Sequence, residues 1–215
     1  MRRTTPVTPW TRKLRALLAT LATLGILTAP ATAGEWVHPF DFPQYEDAPD
    51  EFYAVIEIPA GGFTKYEIDG ETGHVMVDRY VSMPVAYPAN YGSICQTLGG
   101  DDDPLDVLVL SREPIAPGAI IKLRPVGVLK TLDGGEVDDK ILAVPTSKLD
   151  PTYEGIRDVA DVAAAERERI SQFFQVYKRM RDKVVEVKGW GDAAAAREML
   201  SQALTTYQAR NAEPE

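Results

Sequence analysis

The sequence holds one cysteine, Cys95, and two histidines, His38 and His74. A single cysteine excludes an intrachain disulfide and a thiolate metal site, and leaves Cys95 to be read as a small buried hydrophobe. The two histidines have no ligand spacing between them; His38 reads as a polar residue of an extended arm and His74 as a solvent-facing strand residue. No Ser-His-Asp arrangement and no Gly-rich phosphate loop is present, which removes two common routes to acyl or phosphoryl chemistry. Acid is missing from the front of the chain, where no Asp or Glu precedes Glu35. Long apolar runs are missing too, since the longest, Ala16 to Thr28, is too short to span a bilayer comfortably.

That acid-free front has a pattern of its own. Arg2, Arg3, Arg12, Lys13 and Arg15 precede the apolar run ALLATLATLGILT, and Ala31-Thr32-Ala33 follows as a small-x-small cleavage pattern. This order predicts a cleavable signal peptide over residues 1–33 and export to the periplasm or exterior. The alternatives are an uncleaved anchor, or a cytoplasmic chain. Arg2-Arg3 is followed by TTPV, which lacks the companions of a twin-arginine signal. Removing residues 1–33 takes five basic residues and no acid, so the formal charge moves from −9 to −14. Nucleic acid and anionic membrane surfaces are poor partners for such a chain, and metal cations are good ones.

Residues 34–50, rich in proline and acid, read as an extended arm. Period-two alternation over 52–58, 64–68 and 74–80, with Asp69-Gly70 and Thr72-Gly73 as turn signals, predicts strands. LDVLVL (105–110), AIIKLRPVGVLK (119–130) and KILAVP (140–145) continue the β-rich half. The last third switches to helical spacing. Asp161 is placed to cap a helix carrying Ile170, Phe173, Phe174 and Tyr177, and Asp192 to cap one carrying Ala196, Leu200, Ala203, Leu204 and Tyr207. Strands followed by helices predict an α+β fold, a small closed β-barrel with two C-terminal helices packed on it. The body spans 51–210 as a single domain, with 211–215 as a flexible tail.

The stretch GGDDDPLDVLVL (99–110) crowds Asp101, Asp102, Asp103 and Asp106 before a hydrophobic strand. Side chains alternate along an extended chain, so Asp101 and Asp103 share a face, and a break at Pro104 is needed to bring Asp106 round to them. Three convergent carboxylates would make an all-oxygen site suited to Mg²⁺ or Mn²⁺. A calcium EF-hand fails on spacing, because Asp106 stands where that loop needs glycine. The other reading is a solvated acidic turn. A second acidic hairpin, Asp133-Gly-Gly-Glu136-Val-Asp138-Asp139-Lys140, favours a shared cluster if both loops open on one side.

VIEIP (55–59), KYE (65–67), DR (78–79), YPANYG (87–92), DDDPLDVLV (101–109), RPVGVLK (124–130), D-x4-D-x-K (133–140) and FFQVYK (173–178) together resemble the family I soluble inorganic pyrophosphatases, in order and spacing, across residues 52–190. The resemblance implies a five-stranded barrel of OB type with flanking helices, Mg²⁺-dependent hydrolysis of pyrophosphate and a homohexamer. It implies that Asp101, Asp106, Asp133, Asp138 and Glu57 hold three to four Mg²⁺ ions, with Mn²⁺ or Zn²⁺ as possible substitutes. Asp103 would be the general base for water activated by the ions, with Tyr91 orienting the cluster. Lys65, Arg79, Tyr87, Lys140, Tyr177 and Lys178 would bind phosphate, and Glu67 would support Lys65.

Charge favours the metal requirement separately. Glu57, Glu67, Asp101, Asp103, Asp106, Asp133 and Asp138 against Lys65, Arg79, Lys140 and Lys178 leave the pocket at −3 before a polyanion enters. Three or four divalent ions reverse that sign. Gly134 stands where the family commonly has glutamate, which raises the question of whether Glu136 reaches the same place. The competing readings are a Mn²⁺- or Zn²⁺-dependent hydrolase of other polyphosphates or nucleotides, and an inactive metal-phosphate binding module.

Overall fold

A computed structural model describes residues 36–181 and 184–212; the expected leader over 1–33 and the end of the expected tail, 213–215, lie outside the described residues. The strands are β1 (Phe52–Ile58), β2 (Thr64–Ile68), β3 (Val75–Tyr80), β4 (Asn90–Ile94), β5 (Asp106–Val109), β6 (Ile120–Asp133), β7 (Glu136–Val137), β8 (Lys140–Pro145) and β9 (Val185–Gly191). Helix α1 (Ala164–Val176) precedes β9, and α2 (Ala193–Ala212) follows it. Six of the strands match the sequence expectation. The pattern missed β4, whose NYGSI is interrupted by glycine, and β9, whose VEVKGWG lies between two helical stretches.

Seven strands form one mixed sheet in the order β1-β4-β5-β8-β6-β7, with β9 also on β6. β1 pairs with β6 as well as with β4, so the pairings β1–β4–β5–β8–β6–β1 return to their starting strand. Among the described strands only β5 and β8 pair in parallel. β2 and β3 make a separate hairpin.

Apolar runs rather than strict alternation mark β5 and β8 because both faces of these strands are covered. Val107, Val109, Ile141 and Ala143 pack with Phe52, Ile56 and Leu123 and with Ala196 and Leu200 of α2. Leu108, Leu142 and Val144 turn the other way, to Ile170, Phe173 and Phe174 of α1. Each such large side chain taken from water stabilises the fold by about 1.5–3 kcal/mol. β1 and β4 approach so closely that a Cβ on Gly92 would collide with the Val55 carbonyl and lie 2.9 Å from Ile56 Cα.

Two capping expectations part company. Asp192 caps α2, accepting from Ala195 N–H at 2.8 Å. Asp161 does not cap α1: it closes a capping box with Asp158 around the 3₁₀ turn Val159–Asp161, and α1 starts at Ala164 behind Ala163, an N-cap that offers no side-chain bond. The chain between them is extended at Val162, so the helical turn is broken before α1 begins. The arm includes a 3₁₀ turn at Pro39–Asp41. At the other end α2 continues to Ala212, two residues into the expected tail. Among the described residues no helix is long and apolar enough to cross a membrane.

Candidate active site

Parallel pairing of β5 and β8 brings the two acidic loops together. Asp106 and Lys140 are the first residues of their strands and lie opposite one another, so the loops feeding both strands open at the same sheet end. One cavity of about 770 Å³ there is lined by Asp101, Asp103 and Asp106 from the first loop and Asp133, Glu136 and Asp138 from the second. Glu57, Lys65, Glu67, Arg79, Tyr87, Tyr91, Tyr177 and Lys178 line it as well.

Glu57 reaches it through a bulge. Ile56 pairs with Gly92 and Ile58 with Tyr91, so Glu57 is the extra residue and its side chain is re-aimed between two buried isoleucines. Its Oε1 accepts from Ile68 N–H at 3.0 Å and its Oε2 from the Ser93 hydroxyl at 3.3 Å. Burial outweighs these bonds and, helped by the Asp106 charge, pushes the carboxyl up to about 7. The same device acts in the hairpin: Lys65 pairs with Arg79, Tyr66 with Val77, and Asp78 is left over. Asp78 then takes both cations, Arg79 directly and Lys65 at 3.5 Å, while Lys65 also pairs with Glu67.

The aspartates are less gathered than expected. Among the described residues no group of three or more acidic or imidazole side chains is drawn tightly enough to hold a metal ion by itself. Ammonium groups stand between them instead. Lys140 Nζ donates to Asp106 Oδ2 and to Asp138 Oδ1, each at 2.7 Å, and to the Asp138 carbonyl at 3.0 Å. Lys178 pairs with Asp133. Lys140 is also unlike the other cations of the phosphate-binding set: it is 1% exposed and does not line the cavity, facing carboxylates instead. Burial works against its charged form, but Asp106 and Asp138 more than offset this and raise the ammonium above its ordinary value.

Asp103 is raised by burial and then by the charges of Asp101 and Asp106, which makes it a better proton acceptor than an isolated aspartate. Asp138 is raised by burial despite Lys140. The phenols form one wall. Tyr177 stacks on Phe173 with centroids 5.1 Å apart, and Tyr87 meets Tyr91 edge-on at 5.6 Å. Burial raises the hydroxyls of Tyr87, Tyr91 and Tyr177, with nearby carboxylates adding to it and Lys140 opposing it at Tyr177, so all three stay protonated donors.

Gly134 and Gly135 have φ +61 and +96, the left-handed pair that a two-residue hairpin turn requires. A Cβ on Gly134 would meet nothing within 4 Å, and Glu136 lines the cavity from the far side of that turn. Sequence reasoning overlooked Ser93 and Phe40. Ser93 had a signal in its two-residue spacing from Tyr91; Phe40 had none, because it arrives on the arm.

A cavity that gathers this many carboxylates beside ammonium, guanidinium and phenol groups defines a site for a small, highly charged anion handled together with cations. The family model for inorganic pyrophosphatase matches residues 54–208. An inorganic pyrophosphatase of Aquifex pyrophilus is 44% identical over 169 residues, 78% of this chain and 96% of the relative. One from Yersinia pestis is 49% identical over 162 residues, 74% and 93% of the two chains. The crystal structure of the Thermus thermophilus inorganic pyrophosphatase superposes with a TM-score of 0.77 at 35% identity, covering 80% of this chain and 99% of that one. The chain belongs to the inorganic pyrophosphatase family.

Proposed function

We propose that this protein hydrolyses inorganic pyrophosphate to two orthophosphates with Mg²⁺ as cofactor. The observation that carries this reading is the convergence of two acidic loops and the Lys65, Arg79 and Lys178 cations on one cavity. The donor set fits a hard divalent cation, since the lining is rich in carboxylate and phenol oxygen and holds neither imidazole nor thiol. Asp101, Asp106, Asp133, Asp138 and Glu57 would hold three to four ions. When bound, such ions would supply positive charge and make a water held on them more acidic than bulk water.

The chain's own residues do the rest. Asp103 accepts the proton of the attacking water as its oxygen bonds to phosphorus and the bridging P–O bond breaks. Lys65, Arg79 and Lys178 neutralise the leaving phosphate, and the hydroxyls of Tyr87 and Tyr177 donate to phosphoryl oxygens. Tyr91, kept protonated, orients the carboxylates. Lys140 holds Asp106 and Asp138 at their spacing. A nucleotide is the poorer fit, because the tyrosine rings are packed on one another and on Phe173 rather than presented for stacking on a base.

The returning strand pairings support an OB-type closed barrel. The family resemblance supports a homohexamer. The basic front, apolar run and Ala31-Thr32-Ala33 support export and cleavage after Ala33. Phosphate release from pyrophosphate, measured with Mg²⁺, with EDTA and in Asp103→Asn, tests the central reading; activity indifferent to chelation would overturn it.

A further inference from the structure

The β2–β3 hairpin carries Lys65, Glu67 and Arg79 into the cavity, yet it shares no strand ladder with the main sheet. On the body side its root is held where Gly61 N–H donates to the Tyr87 carbonyl at 2.9 Å and Tyr87 N–H to the Gly62 carbonyl at 2.8 Å, and the end of β2 by the bond from Ile68 N–H to Glu57. Its tip, the turn Asp69–Gly73, is held from another direction. Alternate residues of the arm, Trp36, His38 and Phe40, run past it. His38 Nδ1 accepts from Phe40 N–H at 3.1 Å, so Nε2 carries the proton and donates to the Asp69 carbonyl at 3.0 Å. Trp36 lies on Gly73 so closely that a Cβ there would fall 2.7 Å from both Trp36 Cζ2 and Pro39 Cδ. Gly73 has φ +65, which glycine adopts freely. Trp36 meets His38 edge-on at 5.7 Å, His38 meets Phe40 at 5.1 Å, and Phe40 lines the cavity.

The arm is in turn fastened to the body. Gln44 Nε2 donates to the carbonyls of Tyr53 at 3.0 Å and Cys95 at 2.8 Å, and its Oε1 accepts from Tyr53 N–H at 2.6 Å. Gln96 N–H donates to the Phe40 carbonyl at 2.6 Å, and the Tyr207 hydroxyl of α2 to Asp41 Oδ1, also at 2.6 Å. A stiff path therefore runs from the sheet and α2, through the arm, to the outer side of the hairpin's tip, opposite the Ile68–Glu57 bond.

We propose that His38 and Trp36 are positioning residues: the arm clasps the hairpin tip and so fixes where Lys65 and Arg79 stand over the acidic loops. This rests on the cavity being the pyrophosphate site. Loosening the clasp would blur the placement of two phosphate-binding cations while leaving Asp103 and the metal-binding carboxylates where they are. Its signature is a change in substrate affinity rather than in the chemical step.

The test uses the full chain with Mg²⁺ and three variants. His38→Asn keeps an acceptor for the Phe40 N–H but is too short to reach Asp69; Trp36→Ala removes the ring from Gly73; Trp36→Phe retains a ring. His38→Asn and Trp36→Ala should raise the KM for pyrophosphate by about threefold to tenfold, the worth of one such contact, with kcat changed by less than about twofold. Amides of 68–75 should exchange faster while those of β5 and β8 do not, and Trp36→Phe should recover most of both effects. Unchanged exchange over 68–75 in both disruptive variants, a uniform rise across the molecule, or a fall in kcat at constant KM would overturn the proposal. Exchange decides the clasp whether or not wild type splits pyrophosphate, so failure of the site reading would show separately, as absent turnover in wild type.

Discussion

Asp106 and Lys140 face one another as the opening residues of two parallel strands, and the buried Lys140 ammonium donates to Asp106 Oδ2 at 2.7 Å. The same ammonium reaches Asp138 at 2.7 Å, so one buried cation compensates two carboxylates. Lys140→Met should therefore leave both under-compensated in the metal-free protein, at a cost of about 3 kcal/mol. Urea denaturation at pH 7 in EDTA measures it. A variant as stable as wild type would mean that the lysine contributes nothing net.

Asp103 lies more in solvent than in the protein, only partly desolvated at the cavity edge, and among the described residues makes no ion pair, so its loss should be felt in chemistry and not in folding. Asp103→Asn is expected to lower kcat by about 10²–10⁴ with its thermal midpoint little changed. Phosphate release and a melting curve on the same sample separate the two. A variant with near-normal kcat would remove Asp103 from the role of base.

Chelation should stop turnover without unfolding the chain, because lysines already partner Asp106, Asp138 and Asp133. Far-ultraviolet circular dichroism should be unchanged by EDTA. Readdition of Mg²⁺ to about 100 times its Kd should stabilise the fold by about 2.7 kcal/mol per independent site. A melting midpoint insensitive to Mg²⁺ would argue against ions binding the native cavity.

Asp158 ties two elements together, accepting from Ala160 N–H at 3.0 Å and from Ala193 N–H at the start of α2 at 2.9 Å. These bonds to backbone N–H groups hold its carboxyl below the ordinary value. The folded form thus binds its proton more weakly than the unfolded form. The stabilisation is complete above the ordinary aspartate range and is lost as pH falls through the lowered folded value. Asp158→Ala should cost about 1–2 kcal/mol at pH 7, and its difference from wild type should shrink below about pH 4. A difference constant from pH 7 to pH 3 would contradict this assignment.

Much of the site was legible because short motifs carry their own geometry. Asp101, Asp103 and Asp106 stand within six residues of one another, and their crowding announces a need for compensating charge whatever the fold. Tyr177 and Lys178 were legible through the helical spacing of Ile170, Phe173 and Phe174. Less legible was Lys140, which pattern alone places on a surface strand end; its burial depends on Asp106 lying opposite it in a strand more than thirty residues away. Glu57 was readable as acidic but not as the residue of a bulge, because the bulge comes from the close approach of β1 and β4 at Gly92. Residues 34–50 read as an extended arm, and their contact with the hairpin tip has no local signature.

Taken by itself, the amino-acid order determined which segments alternate, which turn, and which residue types were available for chemistry, since these follow from side-chain period, backbone freedom and charge within a few residues. Only the tertiary structure decided which carboxylates share a cation and which way Glu57 points. It also decided what holds the hairpin over the acidic loops. Those outcomes depend on strand register and on contacts between distant segments, such as Lys140 with Asp106 and His38 with Asp69, whose partners no local window of sequence contains together.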